Sequence, residues 1–334
     1  MHFLIYIFAY LVIILITIYL SKYFNLYDIP NRRKVHQIKI LNTSGLSLFF
    51  FCILVVLLSN FPTKIKEIFI ASSFITLIGF IDDRANLKAS YKLILIFLPT
   101  TYLIIFNGFY LENLGDYEMI GTVGLGSTGI IFTFLCVGVL LNSYNYIDGI
   151  DGLLSSTSVV TLIYLSFLVK DDTLICLFSL ISIPLIINLI FNFLPYKSTF
   201  KTFMGNSGSL FVGFILSFII IYIFKYKYIH PSYLIWSSWY AVYDFLFVTF
   251  YRILKKKTFF KADKIHFHHF LLFLFKKSHF KSFLVINIFN IIIIGLGYLI
   301  SKFYGNLASL ISFIFFFIIF SIFRYYLSKN TTTN

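Results

Sequence analysis

Charged side chains are scarce in this sequence, and acidic ones are the scarcest. Of its 334 residues, 12% are charged and only 13 are Asp or Glu, whereas 59% are hydrophobic. A soluble globular domain carries about 25% charged residues, so the composition argues against a soluble fold. The three cysteines, Cys52, Cys136 and Cys176, all lie inside apolar runs. They form neither a disulfide framework nor a pattern of metal ligands.

Long apolar runs recur along the whole chain, close to the roughly 20 residues that cross a bilayer core. We predict an all-α integral membrane protein, a polytopic bundle of about 11 transmembrane helices that forms one domain over residues 1–334. The first run has no basic segment before it, so we expect a retained helix and not a signal peptide. The predicted spans are residues 3–20, 45–60, 67–81, 92–107, 127–143, 156–170, 173–191, 208–224, 233–251, 283–301 and 306–327.

Lysine and arginine favour one face of this predicted bundle. Twenty-one of the 27 lie in the loops at 21–44, 82–92, 142–155, 192–207 and 252–282 or in the C-terminal end of the chain from Arg324 onward. Because basic loops stay in the cytoplasm, we expect the N-terminus outside and the C-terminus inside. The net charge of +14 then reflects membrane topology, and we expect no nucleic-acid partner.

Two acidic clusters lie at the ends of spans on this same face. Asp82 and Asp83 end the third span, and adjacent carboxylates repel each other unless a cation or phosphate-bound Mg²⁺ offsets their charge. Alone, such a pair is more often a solvated helix end. After the fifth span, polar residues recur every three positions before glycines end the helix. These residues are Asn142, Asn145, Asp148 and Asp151. Irregular polar backbone at membrane depth normally lines a cavity.

Two further clusters lie on this face. Lys201 precedes a Met-Gly-Asn-Ser-Gly-Ser segment that contains Asn206 and leads into the eighth span. Exposed backbone N–H groups there suit an anion, although the segment is also an ordinary N-cap. His266, His268 and His269 fall in the most basic loop. Three histidines could bind zinc, but no further ligands complete such a site, and the nearby lysines favour an anion or a solvated loop.

In these clusters the sequence resembles the polyprenyl-phosphate N-acetylhexosamine-1-phosphate transferase family (glycosyltransferase family 4). It looks like the undecaprenyl-phosphate N-acetylglucosaminyl-1-phosphate transferases more than the phospho-N-acetylmuramoyl-pentapeptide transferases. The most specific string is Asn142-x-x-Asn145-x-x-Asp148-Gly-x-Asp151-Gly-Leu. The likeness runs over residues 28–272 and includes Asp28, Arg33, Lys34, His36, Asp82, Asp83, Lys92, Asn192, Lys201, Asp244, Arg252, His266, His268 and His269.

The resemblance implies transfer of an N-acetylhexosamine 1-phosphate from a UDP-N-acetylhexosamine to undecaprenyl phosphate, with release of UMP. It implies a Mg²⁺ cofactor, with Mn²⁺ as a substitute, and a site on the cytoplasmic side of a bacterial inner membrane; it leaves a homodimer open. Asp82, Asp83 and His268 would be catalytic, and Asp83, Asp148 and Asn206 would hold the metal. The substrate-binding residues would be Lys92, Asn142, Asn145, Asp148, Asp151, Lys201, His266 and His269.

Position 206 departs from the family pattern, which has Asp where this chain has Asn206. The loss of a negative charge predicts weaker Mg²⁺ binding. One alternative is therefore a degenerate member that binds nucleotide or lipid without turnover. Another is a polytopic transporter of an anionic solute. A transporter should carry ionisable residues at mid-membrane, however, and the middle segments of the predicted spans contain almost none.

Overall fold

The computed structural model describes residues 2–30, 38–256 and 265–331. In these residues the chain forms twelve α-helices joined by short loops. The helices are α1 (His2–Tyr23), α2 (Ser44–Leu58), α3 (Thr63–Ala85), α4 (Ala89–Thr101), α5 (Gly129–Ile147), α6 (Leu153–Leu168), α7 (Asp172–Phe193), α8 (Gly205–Lys227), α9 (Pro231–Leu234), α10 (Trp239–Leu254), α11 (Phe267–Leu274) and α12 (His279–Thr331). A π-helical turn at Tyr102–Phe106 extends α4, and 3₁₀ turns lie at Gly126–Thr128 and Ile235–Ser238.

The predicted spans fall on these helices within a few residues. The ninth, at 233–251, is broken into α9, a 3₁₀ turn and α10. The last two lie on the two halves of α12, which bends at Gly305, where φ is 88°. Five helical stretches among the described residues are both long and apolar enough to cross a bilayer: Leu4–Tyr23, Gly126–Ile147, Asp172–Phe193, Gly205–Lys227 and His279–Ser328. The chain is therefore an integral membrane bundle, and the count of eleven spans stays a prediction.

Five short β-strands, which the sequence did not predict, lie in the loops at the two ends of the all-α bundle. At one end, β1 (Tyr27–Asp28) pairs antiparallel with β2 (Ile40–Asn42), and β2 pairs parallel with β5 (Thr202–Phe203). At the other end, β3 (Asn113–Tyr117) and β4 (Gly121–Gly124) form a hairpin. The first sheet ties the loop before α2 to the loop before α8.

The central helix of the bundle is α8, which is buried along nearly its whole length. Its first turn lies against glycines of α2 and α3. A Cβ atom on Gly79 of α3 would lie 2.5 Å from the carbonyl oxygen of Asn206, and one on Gly45 of α2 would overlap the backbone of Gly208. Only glycine permits backbones to approach this closely. The end of α3 is thereby held against the start of α8.

The loops predicted on the less basic face meet at the end of the bundle that carries the hairpin. Lys225 at the end of α8 pairs with Glu112 at 2.7 Å, and Lys227 pairs with Asp171 at 2.6 Å. Glu118 of the hairpin accepts a hydrogen bond of 2.7 Å from the backbone of Asn306, just after the bend in α12. These contacts join four connecting loops at one end, so the polar clusters of the sequence analysis lie at the other.

Candidate active site

A polar cavity of about 720 Å³ lies at the end of the bundle that carries β1, β2 and β5. Chain segments that are far apart in sequence line it, and aspartates and asparagines are prominent in its wall. The residues singled out in the sequence that line it are Asp28, Asp82, Asp83, Asn145, Asp148, Asp151, Asn192, Asn206 and His269. All four polar clusters therefore contribute to one cavity.

Both carboxylate oxygens of Asp82 have partners at the end of α3. The helix ends at Asn86, whose left-handed conformation has φ of 48°. The turn that follows places the Leu87 N–H 2.9 Å from Asp82 Oδ1. Lys92 Nζ lies 2.8 Å from Asp82 Oδ2, and both side chains are largely buried. Lys92 therefore neutralises Asp82, and Asp82 fixes the turn after α3.

The neighbouring Asp83 is held by the first turn of α8. Its two oxygens accept hydrogen bonds from the backbone N–H groups of Asn206 at 3.0 Å and Ser207 at 3.2 Å. This contact depends on Gly79, which lets α3 approach α8. Burial raises the pKa of Asp83 to about 6, although the two N–H groups act in the opposite direction. Asp83 is thus a fixed carboxylate that exchanges its proton near neutral pH.

Asp148 follows directly after α5 and lies among other carboxylates. Burial first, and then the charges of Asp83, Asp28 and Asp151, together raise its pKa to about 7. Such a group of acids is stable in its ionised form only when a cation offsets the repulsion. The electrostatics of the cavity therefore favour a positively charged ligand beside Asp148.

Asp151 has its own buried counter-ion. Lys201 Nζ lies 2.9 Å from Asp151 Oδ2, and the Tyr196 hydroxyl donates to the same oxygen at 3.3 Å. His279 Nδ1 lies 3.2 Å from the Asp151 amide nitrogen and 3.5 Å from Oδ1. The ring nitrogen accepts from the amide when neutral and pairs with the carboxylate when protonated. Burial opposes ionisation, but His279 and Lys201 outweigh it, so the pKa of Asp151 is lowered.

The asparagines of the second cluster differ in their contacts. Asn145 Nδ2 donates to Asn206 Oδ1 at 3.0 Å and to Ser209 Oγ at 2.6 Å, which ties α5 to the start of α8. Asn142 Nδ2 instead donates to the Gly138 carbonyl one turn earlier, at 2.7 Å. Asn145 therefore faces the cavity, whereas Asn142 bonds within its own helix.

The three histidines occupy three different environments. His266 Nδ1 lies 2.7 Å from Asp244 Oδ2 of α10, and His269 lines the cavity. His268 is 1% exposed and packs against Gly149, where any Cβ atom would overlap its Nε2. Burial lowers the pKa of His268 well below its usual value, and the charges of His269 and His266 add to this effect. The His268 ring is therefore neutral and lies directly behind the turn that carries Asp148.

Among the cavity-wall residues that the sequence did not indicate are His279 and Tyr196. His279 falls in the basic loop 252–282, and its only signal is its position just before a predicted span. Tyr196 was one of 24 tyrosines. Both touch Asp151, which the sequence did identify, so only the packing of α12 against the loop before α8 reveals them. Arg33, Lys34 and His36 of the family likeness lie outside the described residues.

The oxygen-bearing side chains of the cavity fit a divalent ion whose coordination is completed by substrate oxygens. Among the described residues, no three His, Cys, Asp or Glu side chains are grouped to hold one metal ion by themselves. Asp83 and Asp148 are near enough for their charges to interact, and Asn206 lies beside Asp83. Mg²⁺ is commonly bound by one or two carboxylates together with substrate phosphates and water.

Comparison with known proteins agrees with this geometry. A model of glycosyl transferase family 4 matches residues 66–224. A probable undecaprenyl-phosphate N-acetylglucosaminyl 1-phosphate transferase of Bacillus subtilis (strain 168) is 29% identical over 79% of this chain and 74% of its own length. The undecaprenyl-phosphate alpha-N-acetylglucosaminyl 1-phosphate transferase of Pasteurella multocida is 30% identical over 86% of this chain and 82% of its own length. That of Haemophilus influenzae is 29% identical over 92% of this chain and 87% of its own length.

Proposed function

Because the chain belongs to glycosyl transferase family 4, we propose that it transfers an N-acetylhexosamine 1-phosphate from a UDP-sugar to undecaprenyl phosphate and releases UMP. The observation that carries the proposal is the convergence of Asp83, Asp148 and Asp151 on one cavity at an end of the bundle. The relatives are named for N-acetylglucosaminyl transfer, so UDP-N-acetylglucosamine is the first donor to test. The lipid product would begin a cell-envelope glycan.

The proposed cofactor is Mg²⁺, with Mn²⁺ as a substitute. Asp83 and Asp148 would hold the ion, and the Asn206 amide would offer a neutral oxygen in place of a carboxylate. When bound, the ion supplies positive charge that stabilises the diphosphate oxygens during transfer. The raised pKa values of Asp83 and Asp148 support this assignment, because a cation would relieve the repulsion that burial intensifies.

The proposed reaction is an exchange at one phosphorus atom. An oxygen of undecaprenyl phosphate forms a bond to the phosphorus that carries the sugar, and the bond from that phosphorus to the bridging oxygen breaks. UMP leaves with the bridging oxygen, so no net proton is required when the lipid phosphate is fully ionised. Asp83 would accept the proton of a monoprotonated lipid phosphate. Asp82 would orient this end of α3, since Leu87 and Lys92 occupy its oxygens.

The histidine segment would complete the donor side of the cavity. His269 would contact the sugar nucleotide, since it lines the cavity wall. His268 would keep the Asp148 turn in place through its packing against Gly149. Lys201 and His279 would hold Asp151 as part of the nucleotide site.

The cavity would face the cytoplasm of a bacterium, with the bundle in the inner membrane. Arg84, Lys92 and Lys201, which belong to the described parts of the basic loops, lie at this end of the bundle, and basic loops stay in the cytoplasm. The apolar chain of the acceptor would lie in the bilayer beside the bundle, with its phosphate at the cavity. This arrangement explains why a reaction between water-soluble groups takes place in a membrane protein.

The direct test supplies purified protein with radiolabelled UDP-N-acetylglucosamine, undecaprenyl phosphate and Mg²⁺. We expect label in the organic phase and an equal amount of UMP. Asp83→Asn should lower the rate at least about 100-fold, because it removes a carboxylate from the reacting centre. Asp116→Asn, in the exposed hairpin at the opposite end, is the matched control and should keep the parental rate.

Two outcomes would count against the proposal. If no UDP-hexosamine yields lipid-linked label but UMP binds, the chain is a non-catalytic member of its family. If Asp83→Asn keeps the parental rate, the assignment of this carboxylate is wrong.

A further inference from the structure

A buried charge on the last helix lies outside the active site described above. Arg324 belongs to the second half of α12 and is 2% exposed. Its guanidinium lies 5.1 Å from the ring centre of Phe247 and 5.2 Å from that of Phe267. A buried cation is costly unless it has partners, and near the membrane it commonly marks a functional site. The contacts of Arg324 show which segment of the protein it supports.

The partners of Arg324 are at the start of the histidine segment. Its Nη2 donates to the carbonyl oxygen of Ile265, and its charge attracts the carboxylate of Asp244. Asp244 is fully buried in α10 and accepts from the Phe267 N–H at 2.8 Å while it pairs with His266 Nδ1 at 2.7 Å. Ile265, His266 and Phe267 are thus held by two buried charged side chains, Asp244 of α10 and Arg324 of α12.

This support replaces an ordinary helix cap. His266 is the N-cap of α11, and its side chain makes no capping hydrogen bond. The N–H of Phe267, which has no acceptor within the helix, donates to the Asp244 carboxylate instead. The first turn of a helix leaves such N–H groups without partners inside the helix. The direction in which α11 leaves the loop therefore depends on Asp244, and Arg324 holds the preceding carbonyl.

The held segment leads directly to the cavity. The rings of His266 and His268 stack with their centres 5.5 Å apart and their planes 10° from parallel. His268 in turn packs against Gly149, and the next residue, His269, lines the cavity wall. If Ile265 moved, the stacked rings of His266 and His268 would shift with it. Because His268 packs against Gly149, the turn between Asp148 and Asp151 would then move as well.

We propose that Arg324 is a positioning residue that works with Asp244 to orient the histidine segment of the active site. The kinetic test of this proposal, which measures kcat/KM, rests on the transferase function proposed above. A purely stabilising role is a poor explanation, since apolar residues of similar volume fill such a site at no greater cost than a buried ion pair. The family motifs noted in the sequence run over residues 28–272, so none of them includes Arg324.

The test separates orientation from stability by removing one charge or both. Arg324→Met removes the cation that holds the Ile265 carbonyl and attracts Asp244, so it should lower both the thermal midpoint and kcat/KM. Asp244→Leu with Arg324→Met leaves neither charge buried without the other, so the thermal midpoint should recover part of the loss seen in Arg324→Met. The Phe267 N–H that Asp244 had satisfied keeps the midpoint below the parental value. Because the histidine segment has still lost its supports, kcat/KM should stay at least tenfold below that of the parent.

A second readout does not require turnover. Diethyl pyrocarbonate reacts with accessible histidines, and mass spectrometry of the 265–275 peptide reports its rate. We expect His266 and His268 to react at least fivefold faster in both variants than in the parent. Tyr243→Phe is the matched control, because it removes a buried hydrogen bond from α10 to the Phe313 carbonyl of α12 without touching the histidine segment. It should keep the parental histidine reactivity and kcat/KM.

Recovery of kcat/KM in the double variant would overturn the proposal and leave Arg324 with a role in stability alone. Parental histidine reactivity in the double variant would overturn it as well. If the parent itself shows no transferase activity, the proposed function fails, and the histidine reactivity still decides whether Arg324 orients the segment.

Discussion

Asp82 and Asp83 are neighbours in sequence, but their carboxylates meet different partners. Asp82 is neutralised by Lys92, whereas Asp83 accepts from two backbone amides of α8. The raised pKa of Asp83 follows first from burial, and its place between α3 and α8 leaves it beside Asp148. For single residues, function therefore depends on the kind of partner that the fold gives each carboxylate: a buried cation beside Asp82 and neutral backbone amides beside Asp83.

The amide at position 206 should weaken the binding of the metal. Asn206→Asp would add a negative charge beside Asp83 and Asp148, so the Mg²⁺ concentration for half-maximal activity should fall about tenfold. A Mg²⁺ titration of the transferase rate measures this change. Asn113→Asp, in the hairpin at the opposite end, adds the same charge far from the cavity and should leave the titration unchanged. An unaltered requirement in Asn206→Asp would mean that position 206 does not contact the ion.

The raised pKa of Asp148 predicts how the stability of the metal-free protein depends on pH. The folded-state pKa of about 7 lies above the usual value, so folding favours the protonated acid. This stabilisation is complete below about pH 4 and is lost as the pH rises through 7. In EDTA, the thermal midpoint should fall by about 5 °C between pH 5 and pH 8.

Two comparisons test whether Asp148 causes this fall in the thermal midpoint. Asp148→Asn should reduce it, and added Mg²⁺ should raise the midpoint at pH 8 more than at pH 5. A midpoint with the same pH dependence in Asp148→Asn would exclude this carboxylate as the cause.

At the scale of elements, the contact of α3 with α8 sets the geometry of the cavity. Gly79 lets the end of α3 reach the first turn of α8, and the sheet of β1, β2 and β5 ties the loop before α8 to the loop before α2. The site is therefore built from the ends of helices that other contacts hold in place.

Gly79→Ala should separate these two helices. The added Cβ atom would lie 2.5 Å from the Asn206 carbonyl oxygen, so the helices must shift, at a cost of about 1–3 kcal/mol. Asp83 would then lose its amide partners, and the transferase rate should fall at least about tenfold. Gly295→Ala, where no atom lies within 4 Å of the new Cβ, is the control for an alanine in a helix. Equal rates and stabilities in the two variants would contradict the role of Gly79.

At the scale of the whole molecule, polar contacts separate into two ends. The hairpin end joins its loops by ion pairs such as Lys225 with Glu112, whereas the cavity end gathers the acids and histidines of the active site. Large apolar side chains, among them Phe8, Phe74 and Phe97, are exposed on the helices between the two ends. Such a surface is suited to lipid.

The predicted orientation can be tested with single cysteines in a background that lacks the three native ones. Asp116→Cys in the hairpin and Lys197→Cys near the cavity replace exposed residues at opposite ends. An impermeant maleimide should label position 116 in intact spheroplasts and position 197 only after the membrane is permeabilised, because basic loops stay inside. The reverse pattern would place the cavity outside and remove its access to cytoplasmic UDP-sugars.

Local sequence patterns predict the helical segments and part of the cavity wall. Because apolar runs and polar clusters are local, the predicted spans lie on helices and nine residues singled out in the sequence line the cavity. The short strands and the break between α9 and α10 were not predictable, because they depend on contacts between distant segments.

The role of each polar atom, in contrast, follows from the tertiary structure. Lys92 is the partner of Asp82, His268 lies behind the wall, and Arg324 supports the histidine segment from the last helix. These roles join residues far apart along the chain, and no local pattern records which helices pack together. Burial and hydrogen-bond partners arise from that packing, and they set the charge and orientation on which the proposed chemistry depends.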